Sequence, residues 1–334
     1  MSTIWLGTGI SGSLILIFLA VETALGRWDL VLLNGEIDLF AKVSDGVLRD
    51  IRIALVHCLQ IGYLPAAFLF VMRNSRQTVI ALQGALDCSP EECETLAASV
   101  RLRTAWLAIF AIIGFCMSIA GPYLVPPVPV KPWDPASWSP EVAWHRILGP
   151  VAIIGVWWLG YAVVSVSMRL SLIAEKLQHI DLLDLSQLAP FTQLGLSNGL
   201  TLMGTLSIWS LMLYETGFGQ MMVYVGGGAL VSAAVALVLP VRGVHKRIRQ
   251  SKEVELRWLN GEISRLRRKF QNQDAVKTQG EMADLIAYRG LVDSVPEWPF
   301  TTSTYARLFL YVLLPLLTWG IGIFAEEIVA RAVF

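Results

Sequence analysis

The sequence predicts an all-α integral membrane protein, a polytopic bundle of about seven transmembrane helices with a cytoplasmic helical hairpin between the sixth and seventh. Its residues are 55% hydrophobic and 16% charged, against roughly 45–50% and about 25% in soluble domains. The apolar residues are grouped in runs of about 20, the length that crosses a hydrocarbon core of about 30 Å. The segment Arg242–Arg307 holds 13 of the 26 lysines and arginines, which indicates one strongly basic face.

The apolar runs define seven predicted spans. The first has neither a basic stretch before it nor a small-residue cleavage site after it, so we interpret it as a span and not as a signal peptide. The spans divide the chain into a six-span bundle (1–241), a hairpin (242–304) and a final helix (305–334), and a count of six or eight stays open. The seven are Thr3–Ala24, Ile51–Met72, Thr104–Val125, Ile147–Met168, Leu194–Tyr214, Met221–Val241 and Ala306–Ala325.

The distribution of lysine and arginine predicts the orientation, because cytoplasmic connectors are enriched in both. The connector after the sixth span carries the basic cluster, so alternation gives a cytoplasmic N-terminus and an external C-terminus. We expect a membrane of the bacterial inner type. The connector at 27–50 must then be external although it carries Arg27, Lys42 and Arg49. Its apolar residues recur every three or four positions, which predicts a helix lying in the membrane interface.

Two further connectors have distinct patterns. The external connector Pro126–His145 is rich in proline and tryptophan, which predicts a non-helical cap on the outer interface; a ligand-binding lid is the alternative. On the cytoplasmic side, Ser89 is a predicted N-cap followed by Pro90 and two glutamates. This pattern predicts a short helix that runs directly into the third span.

The hairpin is predicted from an apolar seam with the a/d spacing of a coiled coil. A second apolar stripe on the returning arm can cover this seam within one chain. A neighbouring subunit could cover it instead, and we therefore expect a homo-oligomer. The seam is Leu256, Leu259, Ile263, Leu266 and Phe270, and the second stripe is Met282, Leu285, Ile286 and Val292.

Polar residues inside two spans are the candidate pathway or ligand residues. The second span has His57, Gln60 and Tyr63 at three-residue spacing, and the fifth has Asn198, Thr201 and Thr205. Polar side chains are costly in hydrocarbon and need partners. The two stripes are interpreted either as interhelical hydrogen bonding or as a hydrated pathway or ligand pocket.

Other motifs point away from enzymes and cofactors. Gly7–Gly12 matches GxGxxG but opens an apolar span, so close helix packing explains it better. Cys88 and Cys93 lie among acids without a nearby histidine, and His179, Asp181 and Asp184 alternate with apolar residues; neither set predicts a metal site. No metalloprotease or serine-hydrolase motif occurs, no cofactor is expected, and a net charge of zero gives no general attraction to nucleic acid.

The expected function is therefore a channel-like, non-enzymatic and oligomeric protein of the lipid bilayer. No span centre holds an aspartate, glutamate, lysine or arginine, whereas coupled transporters usually need such a group in their pathway. The alternative is a membrane sensor or signalling scaffold, whose hairpin passes a signal to a cytoplasmic protein partner.

The predicted orientation can be tested with two single cysteines. A membrane-impermeant maleimide added to whole cells should label a cysteine at Ser137, in the external connector, and should not label one at Gln273, at the hairpin tip. Labelling of Gln273→Cys alone would reverse the topology of the whole chain.

Overall fold

A computed structural model describes residues 3–24, 45–86, 88–124, 140–177, 180–213, 222–272 and 275–333. All regular structure in these ranges is helical. Short 3₁₀ turns precede and follow α7, and a single π-helical turn precedes α8. The helices are α1 (Thr3–Ala24), α2 (Asp45–Ala81), α3 (Gln83–Leu86), α4 (Pro90–Ser99), α5 (Thr104–Leu124), α6 (Pro140–Ala174), α7 (Ala189–Ser210), α8 (Gly227–Asn272), α9 (Ala275–Ser294) and α10 (Thr302–Val333).

Six segments of the described chain are long and apolar enough to cross a membrane. Their mean hydropathy lies between 1.8 and 2.1, and many of their large apolar side chains are exposed on the outside of the bundle. This is the construction of a multi-pass membrane protein. The six are Thr3–Ala24, Arg52–Ala81, Pro90–Ala120, Ala143–Ala174, Met222–Lys269 and Thr302–Phe324.

The predicted fifth span, Leu194–Tyr214, is not among the six. Helix α7 occupies this region, and half of its 22 residues are buried, among them Asn198 and Thr201. The same polar residues lower its hydropathy and explain why composition alone does not select it. At one end of α7 the Thr192 hydroxyl donates to the Pro299 carbonyl at 3.1 Å, and just beyond its other end Leu211 packs on Gly322. Helix α7 therefore runs beside the apolar part of α10 along its length.

Neighbouring helices contact each other at defined pairs of residues, which fix their relative directions. Helices α7 and α10 run parallel, as do α2 and α6. Helix α5 is antiparallel to α6, and α7 is antiparallel to α8. The pairs are Gly149 with His57 and Gly155 with Leu64 (α6 with α2), Gly114 with Ile154 and Leu107 with Trp158 (α5 with α6), and Gly195 with Leu237 and Met203 with Ala233 (α7 with α8).

Glycines allow the closest of these contacts. Gly243 of α8 lies against the backbone carbonyl of Ser171 in α6, so closely that a Cβ there would overlap it. Gly7 of α1 packs on the carbonyl of Gly62 in α2, whereas a Cβ at Gly9 or Gly12 would have no neighbour within 4 Å among the described residues. Within the GxGxxG motif, close helix packing thus explains Gly7 but not the other two glycines.

Helix α8 continues beyond its apolar part, and α9 packs against this extension. Leu259 and Leu266 of the predicted seam are buried, together with Val292 of α9. Between the two helices the Tyr288 hydroxyl donates to Glu255 at 3.2 Å. Burial and the nearby Glu255 carboxylate raise the pKa of Tyr288.

The predicted second stripe is wrong at one position. Ile286 is 54% exposed, and Tyr288 packs against the core in its place. The reason is helical geometry: Leu285, Tyr288 and Val292 recur at three and four residues and share one face, from which Ile286 is turned away. The side chain of Phe270, the last residue of the predicted seam, lies outside the described part of the chain.

Two predicted connectors differ from the structure. Pro140 begins α6 and does not exclude a helix, because a proline at the first helical position lacks only an N–H that has no intrahelical acceptor there. Residues 140–145 are therefore helical, and 125–139 lie outside the description. The predicted interfacial helix also falls mostly outside it, at 25–44, and Asp45–Asp50 are the first residues of α2.

The predicted helix start at Ser89 is confirmed. The Ser89 hydroxyl accepts from the Glu92 N–H at 3.3 Å, and the Glu92 carboxylate accepts from the Ser89 N–H at 2.9 Å, which completes a capping box. The helix ends at Ser99, and residues 100–103 separate it from α5, so the predicted direct run into the span is wrong. Beside the cap, Cys88 and Cys93 form a disulfide, which removes both thiols as metal ligands.

The contact between Gly243 and Ser171 predicts opposite effects for one substitution at two sites of α8. Gly243→Ala should lower the free energy of unfolding by about 1–3 kcal/mol, because the new methyl group forces α6 and α8 apart. Gly261→Ala should raise it by about 0.5–1 kcal/mol, because the helix gains a better helix former, and no atom of the described residues lies within 4 Å of the new Cβ. Thermal unfolding in detergent measures both, and equal shifts would contradict the close approach.

Candidate intramembrane polar site

Two histidines meet where α2 and α6 lie side by side. His57 of α2 is 4% exposed, and its Nε2 lies 3.2 Å from Nδ1 of His145 in α6. The ring planes are nearly perpendicular, with centroids 4.8 Å apart. The other ring nitrogen of His57, Nδ1, lies 2.7 Å from the Ile53 carbonyl in the preceding turn.

These contacts determine which nitrogens carry hydrogen in the neutral pair. A carbonyl only accepts, so His57 Nδ1 must donate to Ile53, and His57 Nε2 is then an acceptor. His145 Nδ1 consequently donates to it, which leaves Nε2 of His145 as the acceptor at the end of the chain. The neutral pair can thus take up one proton, at Nε2 of His145. The other end of the chain is closed, because the amide carbonyl of Ile53 does not pass a proton on.

Sequence reasoning missed His145, because it placed this residue in the proline-rich connector. A usable signal was present. Ser139-Pro140-Glu141 repeats the Ser-Pro-Glu order of residues 89–91, which correctly predicted the start of α4. Applying the same rule here would have begun α6 at Pro140 and placed His145 on a helix.

Gln60 lies one helical turn beyond His57 on α2. Its side chain is 1% exposed, and neither its amide nitrogen nor its amide oxygen has a hydrogen-bond partner in the described part of the chain. A buried polar atom without a partner costs about 1–3 kcal/mol. Of the three polar residues on this face of α2, Gln60 is therefore the one whose hydrogen-bonding atoms are left unsatisfied.

The two predicted polar stripes meet at Tyr63. Its hydroxyl donates to the Thr201 carbonyl of α7 at 2.8 Å, and its ring lies over Gly204, where any side chain would overlap it. The threonine hydroxyls bond within α7 itself: Thr201 donates to the Ser197 carbonyl at 2.8 Å, and Thr205 to the Thr201 carbonyl at 3.3 Å. Among the hydrogen bonds of the described residues, the one from Tyr63 joins the two stripes directly.

Asn198 extends the polar face from α7 to α6. It is fully buried, and its Nδ2 donates to the Ser167 hydroxyl at 3.3 Å. Its Oδ1 has no hydrogen-bond partner among the described residues. These polar residues of α2, α6 and α7 include three bonded pairs, and Gln60 lies among them without a partner in the described chain. We call the set the polar column: His145, His57, Gln60, Tyr63, Thr201, Asn198 and Ser167.

Within the described residues, no three histidine, cysteine, aspartate or glutamate side chains are grouped to hold a metal ion. The metal site considered from the sequence at His179, Asp181 and Asp184 is described only in part. Asp181 accepts from the Leu183 and Asp184 N–H groups at 2.9 and 3.3 Å. Hydrogen bonds from Ser186 lower the pKa of Asp184. Both carboxylates are thus occupied in a turn and a helix cap, and His179 lies outside the described residues.

No protein-family model matches the chain, and neither a curated protein nor a solved structure matches it. The chemistry of the polar column is therefore the evidence on function. It offers imidazole, amide, hydroxyl and carbonyl groups and contains no aspartate, glutamate, lysine or arginine. Groups of this kind form hydrogen bonds with neutral polar partners, and none of them carries the fixed charge of a carboxylate, an ammonium or a guanidinium group.

The unpartnered amide of Gln60 predicts a gain in stability when it is removed. Gln60→Met keeps the length of the side chain and should raise the free energy of unfolding by about 1–3 kcal/mol. Tyr63→Phe is the matched control, because it removes a hydrogen bond that is made and should lower stability by about 0.6 kcal/mol. Thermal unfolding of both variants in one detergent measures the difference. A loss of stability in Gln60→Met would show that the amide is satisfied.

Proposed function

We propose that the protein is a channel-like, non-enzymatic membrane protein whose pathway follows the polar column. The observation that carries this proposal is the burial of Gln60 and of Asn198 Oδ1 without hydrogen-bond partners in the described chain. An apolar residue at either position would avoid the cost of desolvation. Polar groups retained inside a membrane helix bundle are by default candidates for contact with a transported species.

The proposal includes seven crossings, with α7 as the central one. The contacts of α7 with Pro299 and Gly322 support a helix of the same depth as the last apolar span. The relative directions also fit, because α5, α7 and α10 run one way, and α2, α6 and α8 run the other. A polar helix can cross a bilayer when protein and not lipid surrounds it.

The orientation remains a proposal, with the segment Arg242–Arg307 on the cytoplasmic side. By alternation, the loop that contains Cys88 and Cys93 lies on the same side. Their disulfide counts against this assignment, because cytosolic thiols are kept reduced. Thirteen basic residues in one segment outweigh one cysteine pair, and the labelling of Ser137→Cys and Gln273→Cys decides between them.

The transported species that the column supports best is a small neutral polar solute or a chain of water molecules that carries protons. Its groups are uncharged hydrogen-bond donors and acceptors, and the pair of His57 and His145 can hold one proton at one end. A transported ion other than a proton would need compensating carboxylates or basic groups, which the column lacks.

Assembly into a homo-oligomer belongs to the same proposal, but the apolar seam that predicted it from the sequence no longer supports it. Because Leu259 is buried in the same apolar cluster as Leu285, Tyr288 and Val292 of α9, the seam does not require a second subunit at this position. The support now lies in Val254 and Trp258, one turn apart on α8 and 57% and 54% exposed. The same two side chains would serve a cytoplasmic partner.

The second candidate function is a sensor, and one observation favours it. Helix α8 is continuous over 46 residues, from the contact with α7 in the bundle to the contact with α9 beyond it. A displacement at the polar column would move both ends of this rigid element. If the protein is a sensor, ligand binding should change the conformation of α9, and the protein should carry no flux of solute or protons.

Flux through proteoliposomes tests the channel proposal. Wild-type protein should speed the release of protons, measured with a trapped pH dye, or of glycerol or urea, measured by light scattering. His57→Ala should change the pH dependence of that flux, because it removes a titratable group, and Gln60→Met should reduce the flux at least about tenfold although the protein becomes more stable.

Glu262→Gln, in the part of α8 that extends beyond the bundle, is the control and should leave the flux unchanged, because Glu262 pairs with Arg265 of the same helix. Equal flux in empty vesicles and in vesicles with wild-type protein would end the channel proposal. Solute-dependent protection of α9 from protease in those same vesicles would then favour the sensor.

A further inference from the structure

An apolar crevice of about 630 Å³ lies between α2, α5 and α6, on a face of α2 that adjoins its polar face. Its walls include Ile61 and Leu69 of α2, Leu107 of α5, and Val151 and Trp158 of α6. Among the described residues that line it, the Trp158 indole is the only charged or hydrogen-bonding side chain. An aqueous solute would gain nothing there, whereas a hydrocarbon chain would be buried.

Local sequence explains why these helices leave a gap. Pro65 of α2 and Gly155 of α6 both line the crevice, and neither fills it with a flexible side chain. The Trp158 indole donates to the Leu107 carbonyl at 2.8 Å, which fixes the ring as a wall between α5 and α6. The crevice is thus a fixed feature of the helix contacts.

The length of the crevice matches part of one leaflet. From Ile61 to Leu69 the helix rises about 12 Å at about 1.5 Å per residue, less than half of the hydrocarbon core of about 30 Å. An acyl chain entering from one leaflet would fill it without crossing the bilayer.

Two exposed arginines lie at the same end of the crevice. Arg73 follows Leu69 by one helical turn on α2, and Arg103 precedes Leu107 by one turn at the start of α5. The Arg103 N–H donates to the Tyr161 hydroxyl at 3.3 Å, which places it beside α6 one turn beyond Trp158. Neither guanidinium has a partner in the described part of the chain. Guanidinium groups bind phosphate oxygens in a planar, often bidentate geometry.

We propose that the crevice and these two arginines form a binding site for one anionic phospholipid. One acyl chain occupies the crevice between α2, α5 and α6, and the phosphate and anionic headgroup bind Arg73 and Arg103. The lipid comes from the leaflet on the arginine side. Charge complementarity selects this occupant over a zwitterionic lipid or an apolar molecule. The site is independent of the proposed pathway along the polar column.

Native mass spectrometry of the full chain tests the site. The delipidated protein is mixed with equal amounts of dioleoyl phosphatidylglycerol and dioleoyl phosphatidylcholine in detergent, and the retained lipids are counted. Wild type should retain one phosphatidylglycerol. Arg73→Gln and Arg103→Gln should each weaken its binding roughly fivefold, and together roughly 25-fold. Arg307→Gln, at an exposed arginine near the start of α10, is the matched control and should have no effect.

Val151→Trp should fill the crevice and prevent retention, whereas Val231→Trp, on the exposed face of α8, should not. Equal retention of the two lipids by wild type would overturn the proposal. So would arginine variants that behave like Arg307→Gln, or full retention by Val151→Trp. If Val151→Trp does not fold, the arginine variants decide alone, because both positions are exposed.

Discussion

The structure depends on enclosing one polar helix inside apolar ones. In a bilayer, no water is present to satisfy a polar side chain, so it must bond within the protein or face an enclosed space. Helix α7 carries Asn198, Thr201 and Thr205, and all three are buried. Helices α2, α6, α8 and α10 pack against it and expose many of their own large apolar side chains on the outside of the bundle. This arrangement gives the interior its polar column and the exterior its lipid surface.

Glycine contacts make that enclosure possible, because interhelical association in lipid relies on packing more than on the hydrophobic effect. Gly195 of α7 lies on Leu237 of α8, and Gly204 accommodates the ring of Tyr63. A side chain at either glycine would separate α7 from its neighbours. The hydrogen bond between Tyr63 and Thr201 would then be lost, and the two polar stripes would no longer meet.

The sequence was sufficient wherever a local rule decided the outcome. The long apolar helices, the capping box at Ser89 and the burial of Leu259 and Leu266 all follow from patterns within about twenty residues of continuous chain. The partner of His57 could not be predicted, because the approach of α6 to α2 depends on contacts between helices about 90 residues apart. Mean hydropathy selects helices that face lipid, and it omits α7, half of whose residues are buried within the bundle.

Helix α2 carries both the polar column and the crevice, on different faces of the same turns. Tyr63 bonds to Thr201 of α7, and the next residue, Leu64, packs against Gly155 of α6 and lines the crevice. Pro65 removes one backbone N–H from this turn, which weakens the helix where the two faces adjoin. Because one turn supports both sites, a substitution in the crevice that moves α2 would also move Tyr63. Variants of either site are therefore informative only when the Tyr63–Thr201 contact is preserved.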